Sequence, residues 1–92
     1  VGTPGFSAGA TDYTSLAIDP TGTPFLGYRD LANSGKATVQ KFVAGTWTVV
    51  GTPGFSAGAT DYTSLAMDPT GTPFLGYSDG ANGDKATVQR YA

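Results

Sequence analysis

The sequence predicts an all-β fold built from two copies of one repeat. Residues 1–43 align without a gap on residues 50–92, a period of 49 residues, and only eight of the 43 aligned pairs differ. All seven acidic residues are Asp, and the chain holds 14 Gly and 6 Pro, which favour turns over helix interiors. No segment carries apolar residues at helical spacing. We therefore expect a first repeat at residues 1–49 and an incomplete second repeat at residues 50–92.

Each repeat is expected to hold up to four strands. The first, residues 13–19, is small and apolar enough to be buried on both faces. The Asp-Pro-Thr-Gly sequence at residues 19–22 suits a type I turn, which leads into a second strand at residues 24–30. A loop of sequence LANSG precedes the third strand at residues 36–43, and Ala44-Gly45 turns into the fourth at residues 46–50.

Four short strands in a period of about 40–50 residues are typical of one blade of a β-propeller. The linker at residues 51–61 suits the passage from the outer edge of one blade to the inner strand of the next. The second repeat lacks the outer strand that residues 44–49 supply in the first. Because two blades do not close a ring of about four to eight, we expect a longer array of repeats or the assembly of several copies. Three copies would give six blades, and four would give eight.

One family resemblance supports this fold. The segments GFSAG (54–58), YTSLA (62–66) and KATV (85–88), with Trp47, Val50, Gly51, Asp68, Gly71, Pro73, Tyr77 and Asp79, resemble the tandem repeats of secreted bacterial β-propellers, often described as sialidase-like or kelch-like. The resemblance implies an extracellular or cell-surface bacterial protein. The aromatic residue that closes a sialidase Asp-box and the arginine cluster that holds the substrate carboxylate are missing, so glycosidase activity does not carry over.

Composition excludes several classes of function. The chain has no Cys and no His, which removes disulfides, thiol nucleophiles, the usual zinc sites and imidazole acid–base chemistry. Its net charge is −2 and its five basic residues are scattered, so no basic surface for nucleic acid or anionic membranes is expected. No apolar run approaches the roughly 20 residues of a membrane-spanning helix, and the segment VGTPGF does not resemble a signal peptide. We expect no cofactor and no metal.

The loop after the second strand is the first candidate for a ligand site. Four of the eight differences between the repeats fall there, at positions 29/78, 31/80, 34/83 and 35/84. An aromatic ring with nearby hydrogen-bonding groups could bind a sugar. The candidate residues are Tyr28, Asp30, Asn33 and Lys36 in the first repeat and Tyr77, Asp79, Asn82 and Lys85 in the second. The alternative is that exposed loops vary freely and favour such residues without binding anything.

Other polar and aromatic residues have two interpretations each. Asp19 and Asp68 are expected to cap hairpin turns. Asp12 and Asp30 could approach each other as a metal or acid–base pair, although a structural role is the simpler interpretation. Trp47 could be a platform for a sugar or could pack within its strand.

These observations predict a non-enzymatic β-propeller repeat module. It would serve as a structural or interaction scaffold that assembles with further blades or copies of itself. The alternative is a carbohydrate-binding lectin with one glycan site per blade. An enzyme is the third hypothesis, since it would need another domain to supply the chemistry.

Overall fold

The computed structural model describes residues 1–91, which form seven strands in two antiparallel sheets. The first sheet has the order β1-β2-β3-β4 and the second has the order β5-β6-β7. The strands are β1 (Thr11–Ile18), β2 (Pro24–Asp30), β3 (Lys36–Val43), β4 (Thr46–Val49), β5 (Thr60–Met67), β6 (Pro73–Asp79) and β7 (Lys85–Arg90). The only helical elements of residues 1–91 are single 3₁₀ turns at Leu31–Asn33 and Gly80–Asn82. Neither is long and apolar enough to cross a membrane.

The all-β prediction is confirmed, and the predicted strands lie close to the observed ones. β2 and β3 have the predicted bounds, whereas β1 begins two residues earlier than expected. A β-bulge between Asp12 and Ser15 interrupts the pairing of β1 with β2. Tyr13 lies in this bulge with a φ of 53°, and its counterpart Tyr62 has a φ of 52°. Such an irregularity in the ladder is not visible in the alternation of residues.

The predicted hairpin turns are formed as expected. The Asp19 carboxylate accepts hydrogen bonds from the backbone N–H of Thr21 and of Thr23, both at 2.9 Å. The N–H of Gly22 donates to the Asp19 carbonyl at 3.0 Å, which closes the four-residue turn. Asp68 makes the same contacts in the second repeat. Capping of the turn therefore accounts for both Asp residues.

The second sheet packs on the first through β5, which lies beside β1 and also contacts β2 and β3. The Thr63 hydroxyl donates to the Tyr13 carbonyl, and the Leu65 N–H donates to the Ser15 hydroxyl at 2.9 Å. Both sheets contribute to one apolar core, whose buried residues are Phe25, Ala37, Val39, Leu65, Leu75 and Tyr77. Burial of this core is the main force that holds the repeats together.

The prediction that the first strand is buried on both faces is wrong. β5 alternates between buried and exposed residues along most of its length, and β1 has no buried residue. The reason is that β5 packs on the first sheet with one face only. Leu65 is 7% exposed, whereas the identical Leu16 on β1 is 62% exposed. Burial here depends on which neighbour a strand has, not on its sequence.

Candidate functional site: the junction between the repeats

The linker between the repeats, residues 50–59, runs along the outer edge of β3 and continues the pairing that β4 begins. β4 pairs with β3 only as far as Gln40. Beyond that point the N–H of Val50 donates to the Val39 carbonyl and the N–H of Phe55 to the Ala37 carbonyl, both at 2.8 Å. Since an uncovered strand edge invites pairing with another chain, the linker protects the edge of β3.

Two hydroxyl groups fix the linker in this position. The Ala37 N–H donates to the Ser56 hydroxyl at 2.9 Å, and this hydroxyl donates to the Gly58 carbonyl at 2.7 Å. The Gly54 N–H donates to the Thr38 hydroxyl at 2.8 Å. Ser56 and Thr38 are both buried. Because buried polar groups need partners, these bonds set the register of the linker on β3.

Asp30 supports this arrangement from inside the first repeat. Its carboxylate is buried and accepts hydrogen bonds from the Ala32 N–H at 3.1 Å, the Asn33 amide at 2.8 Å and the Thr38 hydroxyl at 2.7 Å. The same Thr38 hydroxyl accepts from Gly54 of the linker. Asp30 therefore orients the Thr38 hydroxyl, which accepts a hydrogen bond from the linker that leads into the second repeat.

A charged group lies at the same junction. The Arg29 guanidinium lies 3.6 Å from the Asp12 carboxylate and 3.7 Å from the Asp61 carboxylate, so it bridges the two repeats. The rings of Tyr13 and Tyr62 lie nearby, with centroids 4.6 Å apart. Since all three charged side chains keep contact with solvent, the ion pairs contribute little to the free energy of unfolding. Their effect is to neutralise two carboxylates that the packing brings together.

The eight residues predicted as glycan ligands divide into two sets. Tyr28, Asp30, Tyr77 and Asp79 are buried, and hydrogen bonds within the chain engage their polar groups. Asn82 and Lys85 are exposed, and Asn33 and Lys36 are partly exposed. A sugar could reach only the second set in this chain. Glycan binding by this loop stays a prediction.

Two further sequence hypotheses can be compared with the structure. Asp12 faces Arg29, while Asp30 is engaged with Asn33 and Thr38, so their carboxylates have different partners. Residues 1–91 contain no group of three His, Cys, Asp or Glu side chains that could hold a metal ion. Trp47 stacks on Phe6 with ring centroids 4.1 Å apart. This contact agrees with the packing interpretation of Trp47.

Three aspartates have pKa values below the usual range. The largest cause is the backbone N–H of Thr23 for Asp19, the backbone N–H of Thr72 for Asp68, and the Thr87 hydroxyl for Asp79. Each of these bonds favours the ionised carboxylate over the protonated acid. Protonation of these groups must therefore weaken the turns and the loop that they hold.

We expect the free energy of unfolding to fall as the pH drops below about 4. A carboxyl group with a depressed pKa stabilises the folded state fully above its unfolded pKa of 3.8, and this contribution is lost as the pH falls through the lower folded value. Urea unfolding between about pH 5 and about pH 2 measures the slope. The Asp19→Asn variant should show a shallower slope, and an unchanged slope would contradict the assignment to this turn.

The sequence interpretation missed the residues that make the junction, above all Ser56 and Thr38. A signal was present, because the segment GFSAG recurs at residues 5–9 and 54–58. A polar residue retained within a repeated linker indicates a fixed contact, although its partner on β3 could not be identified without the fold. No family model, curated protein or solved structure matches the chain.

Proposed function

We propose that the chain is a non-enzymatic β-propeller repeat module of a secreted or cell-surface bacterial protein. It acts as a structural scaffold whose repeats associate with further repeats or with further copies of the chain. The first sheet is a meander of four antiparallel strands, and the chain then returns so that β5 lies beside β1. Both features agree with two successive blades, although a closed ring requires more than two.

The observation that carries the proposal is a difference in burial between identical residues. Val39 on β3 is 1% exposed, whereas Val88 at the same position on β7 is 67% exposed. Leu65 on β5 is buried and Leu16 on β1 is exposed. Each repeat thus carries the residues of both sides of the junction, and within residues 1–91 one side of each repeat has no partner. Exposed apolar residues that are buried elsewhere in the same molecule favour association.

The polar groups of the chain support a scaffold over a catalyst. The buried carboxylates of Asp30 and Asp79 are occupied by hydrogen bonds from their own loops and from the neighbouring strand. The carboxylates of Asp12 and Asp61 face Arg29. These groups hold the repeats in place.

Light scattering after gel filtration tests the proposal. We expect the 9.3 kDa chain to elute as a particle of several copies, because burial of the open apolar faces favours association. Circular dichroism of the same fractions verifies that the particle is folded. A folded monomer at all accessible concentrations would overturn the proposal.

A further inference from the structure

We propose that residues 1–11 of a second copy of this chain pair with the outer edge of β7, in the register in which residues 50–60 pair with β3. The inference rests on the proposed function, and it adds the partner, the binding segment and the register. The contact is heterologous, since the N-terminal segment of one copy meets the last strand of another. The copy whose β7 edge is occupied keeps a free N-terminal segment, and its partner keeps a free β7 edge, so the contact can recur.

Among residues 1–91 nothing pairs with the outer edge of β7, which is the edge that would bind the second copy. β7 pairs with β6 along its inner side. On the outer side, no backbone hydrogen bond from any of residues 1–91 reaches Ala86 or Val88, although their counterparts Ala37 and Val39 bond to the linker. Ala86 and Val88 are exposed. An edge of this kind is a template for another strand or extended segment.

The donors and acceptors on both sides match those of the junction within the chain. The Val1 N–H would donate to the Val88 carbonyl, as Val50 does to Val39, and the Phe6 N–H to the Ala86 carbonyl, as Phe55 does to Ala37. The side-chain contacts are repeated as well, because Ser7 stands for Ser56, Gly5 for Gly54 and Thr87 for Thr38.

The docking segment already has its bound conformation. The Ser7 hydroxyl donates to the Gly9 carbonyl at 2.7 Å, as Ser56 does to Gly58. Gly2 and Gly5 have φ angles of 69° and 65°, against 72° and 63° for Gly51 and Gly54. Because the segment needs little reordering, docking loses less conformational entropy than the capture of a flexible tail.

The acceptor hydroxyl on β7 is also in place. The Thr87 hydroxyl donates to the Asp79 carboxylate at 2.7 Å, as Thr38 does to Asp30. Its oxygen is therefore oriented to accept the N–H of Gly5 from a second copy. The pair Asp79 and Thr87 would thus bind the segment of a second copy as Asp30 and Thr38 bind the linker.

One difference in charge makes the contact between copies weaker than the junction within the chain. Arg29 bridges Asp12 and Asp61, but Ser78 occupies the equivalent position in the second repeat. The Ser78 hydroxyl donates instead to the Asp84 carbonyl at 3.0 Å. The Asp12 carboxylate of a docked copy would thus lie near Asp61 without an arginine between them.

A disulfide between copies tests the register directly, since the chain has no cysteine of its own. The Ala59 Cβ lies 3.6 Å from the point that a Cβ on Gly35 would occupy. This separation suits a disulfide. The equivalent positions across the proposed contact are Ala10 of one copy and Asp84 of the other. Two single-cysteine variants, Ala10→Cys and Asp84→Cys, are mixed and oxidised gently.

We expect the mixed disulfide to form about tenfold or more faster than in a control mixture of Ala10→Cys with Thr70→Cys, because docking raises the effective thiol concentration. Thr70 is exposed and lies in the β5–β6 turn, at the other end of β6 from Asp84. Mass spectrometry distinguishes the mixed disulfide from the two homodimers. If light scattering shows assembly but both mixtures react equally, the register is wrong while the scaffold function stands. If the unmodified chain is monomeric, both proposals fall.

Discussion

We expect the Asp30→Ala variant to lower the free energy of unfolding by about 3 kcal/mol. Its carboxylate is buried and accepts from the Ala32 N–H, the Asn33 amide and the Thr38 hydroxyl. A buried donor left without a partner costs about 1–3 kcal/mol. Loss of Asp30 also frees the Thr38 hydroxyl that receives Gly54, so the linker should loosen. Urea unfolding followed by tryptophan fluorescence measures the effect.

The second repeat supplies a matched control. Asp79 makes the same three bonds, from the Ala81 N–H, the Asn82 amide and the Thr87 hydroxyl. Asn82 is exposed and Thr87 is only partly buried, whereas Asn33 is partly buried and Thr38 is fully buried, so water can replace the lost acceptor more easily in the second repeat. Asp79→Ala should therefore destabilise the chain less than Asp30→Ala. Equal losses would show that the contact with the linker contributes nothing.

The burial of some candidate residues decides which substitutions can test a glycan site. A loss of sugar binding on replacing Asp30 or Tyr28 would report a damaged fold, since both side chains are buried. Lys36 and Lys85 are the appropriate residues to replace, because their side chains reach solvent. Retained binding in a variant with both lysines replaced would show that neither lysine binds the sugar.

The strands were predictable because their signals are local. The Asp-Pro-Thr-Gly turn, the Ala-Gly turn and the aromatic and β-branched residues of β2 and β3 mark the elements within a few residues. The role of Asp30 was not predictable in this way. Its residue type suits an exposed loop, and only the approach of Thr38 and Gly54 from other parts of the chain makes it a buried acceptor.

Burial in the two repeats could not be predicted from local sequence either. Leu16 and Leu65 stand in the same local sequence, as do Val39 and Val88, yet their burial differs. Sequence determines which residues can form a junction, whereas the presence of a neighbour determines which residues do. In a repeat fold the contacts are between adjacent units, so the same residue can be core in one unit and surface in the next.

Two equivalent glycines, Gly27 and Gly76, are expected to respond differently when each is replaced by valine. A Cβ on Gly27 would lie 2.8 Å from the Leu75 Cδ1 atom, whereas a Cβ on Gly76 would meet only the Val88 Cγ2 atom at 3.7 Å and the Ser64 carbonyl at 4.0 Å. We expect Gly27→Val to lower the free energy of unfolding by about 1–3 kcal/mol through overpacking between the sheets. Gly76→Val should leave unfolding of the isolated chain almost unchanged, which urea unfolding at low concentration measures.

The same Gly76→Val change should abolish assembly. If a second copy docks as the second sheet packs on the first, its Leu26 takes the place that Leu75 has against Gly27. A valine at position 76 would then overlap Leu26 of that copy, and light scattering should find a folded monomer. Assembly that persists in this variant would mean that the copies meet through another surface. Gly76→Val thus separates the stability of the chain from its association. Gly27 meets Leu75 within one chain, whereas Gly76 would meet Leu26 only when a second copy binds.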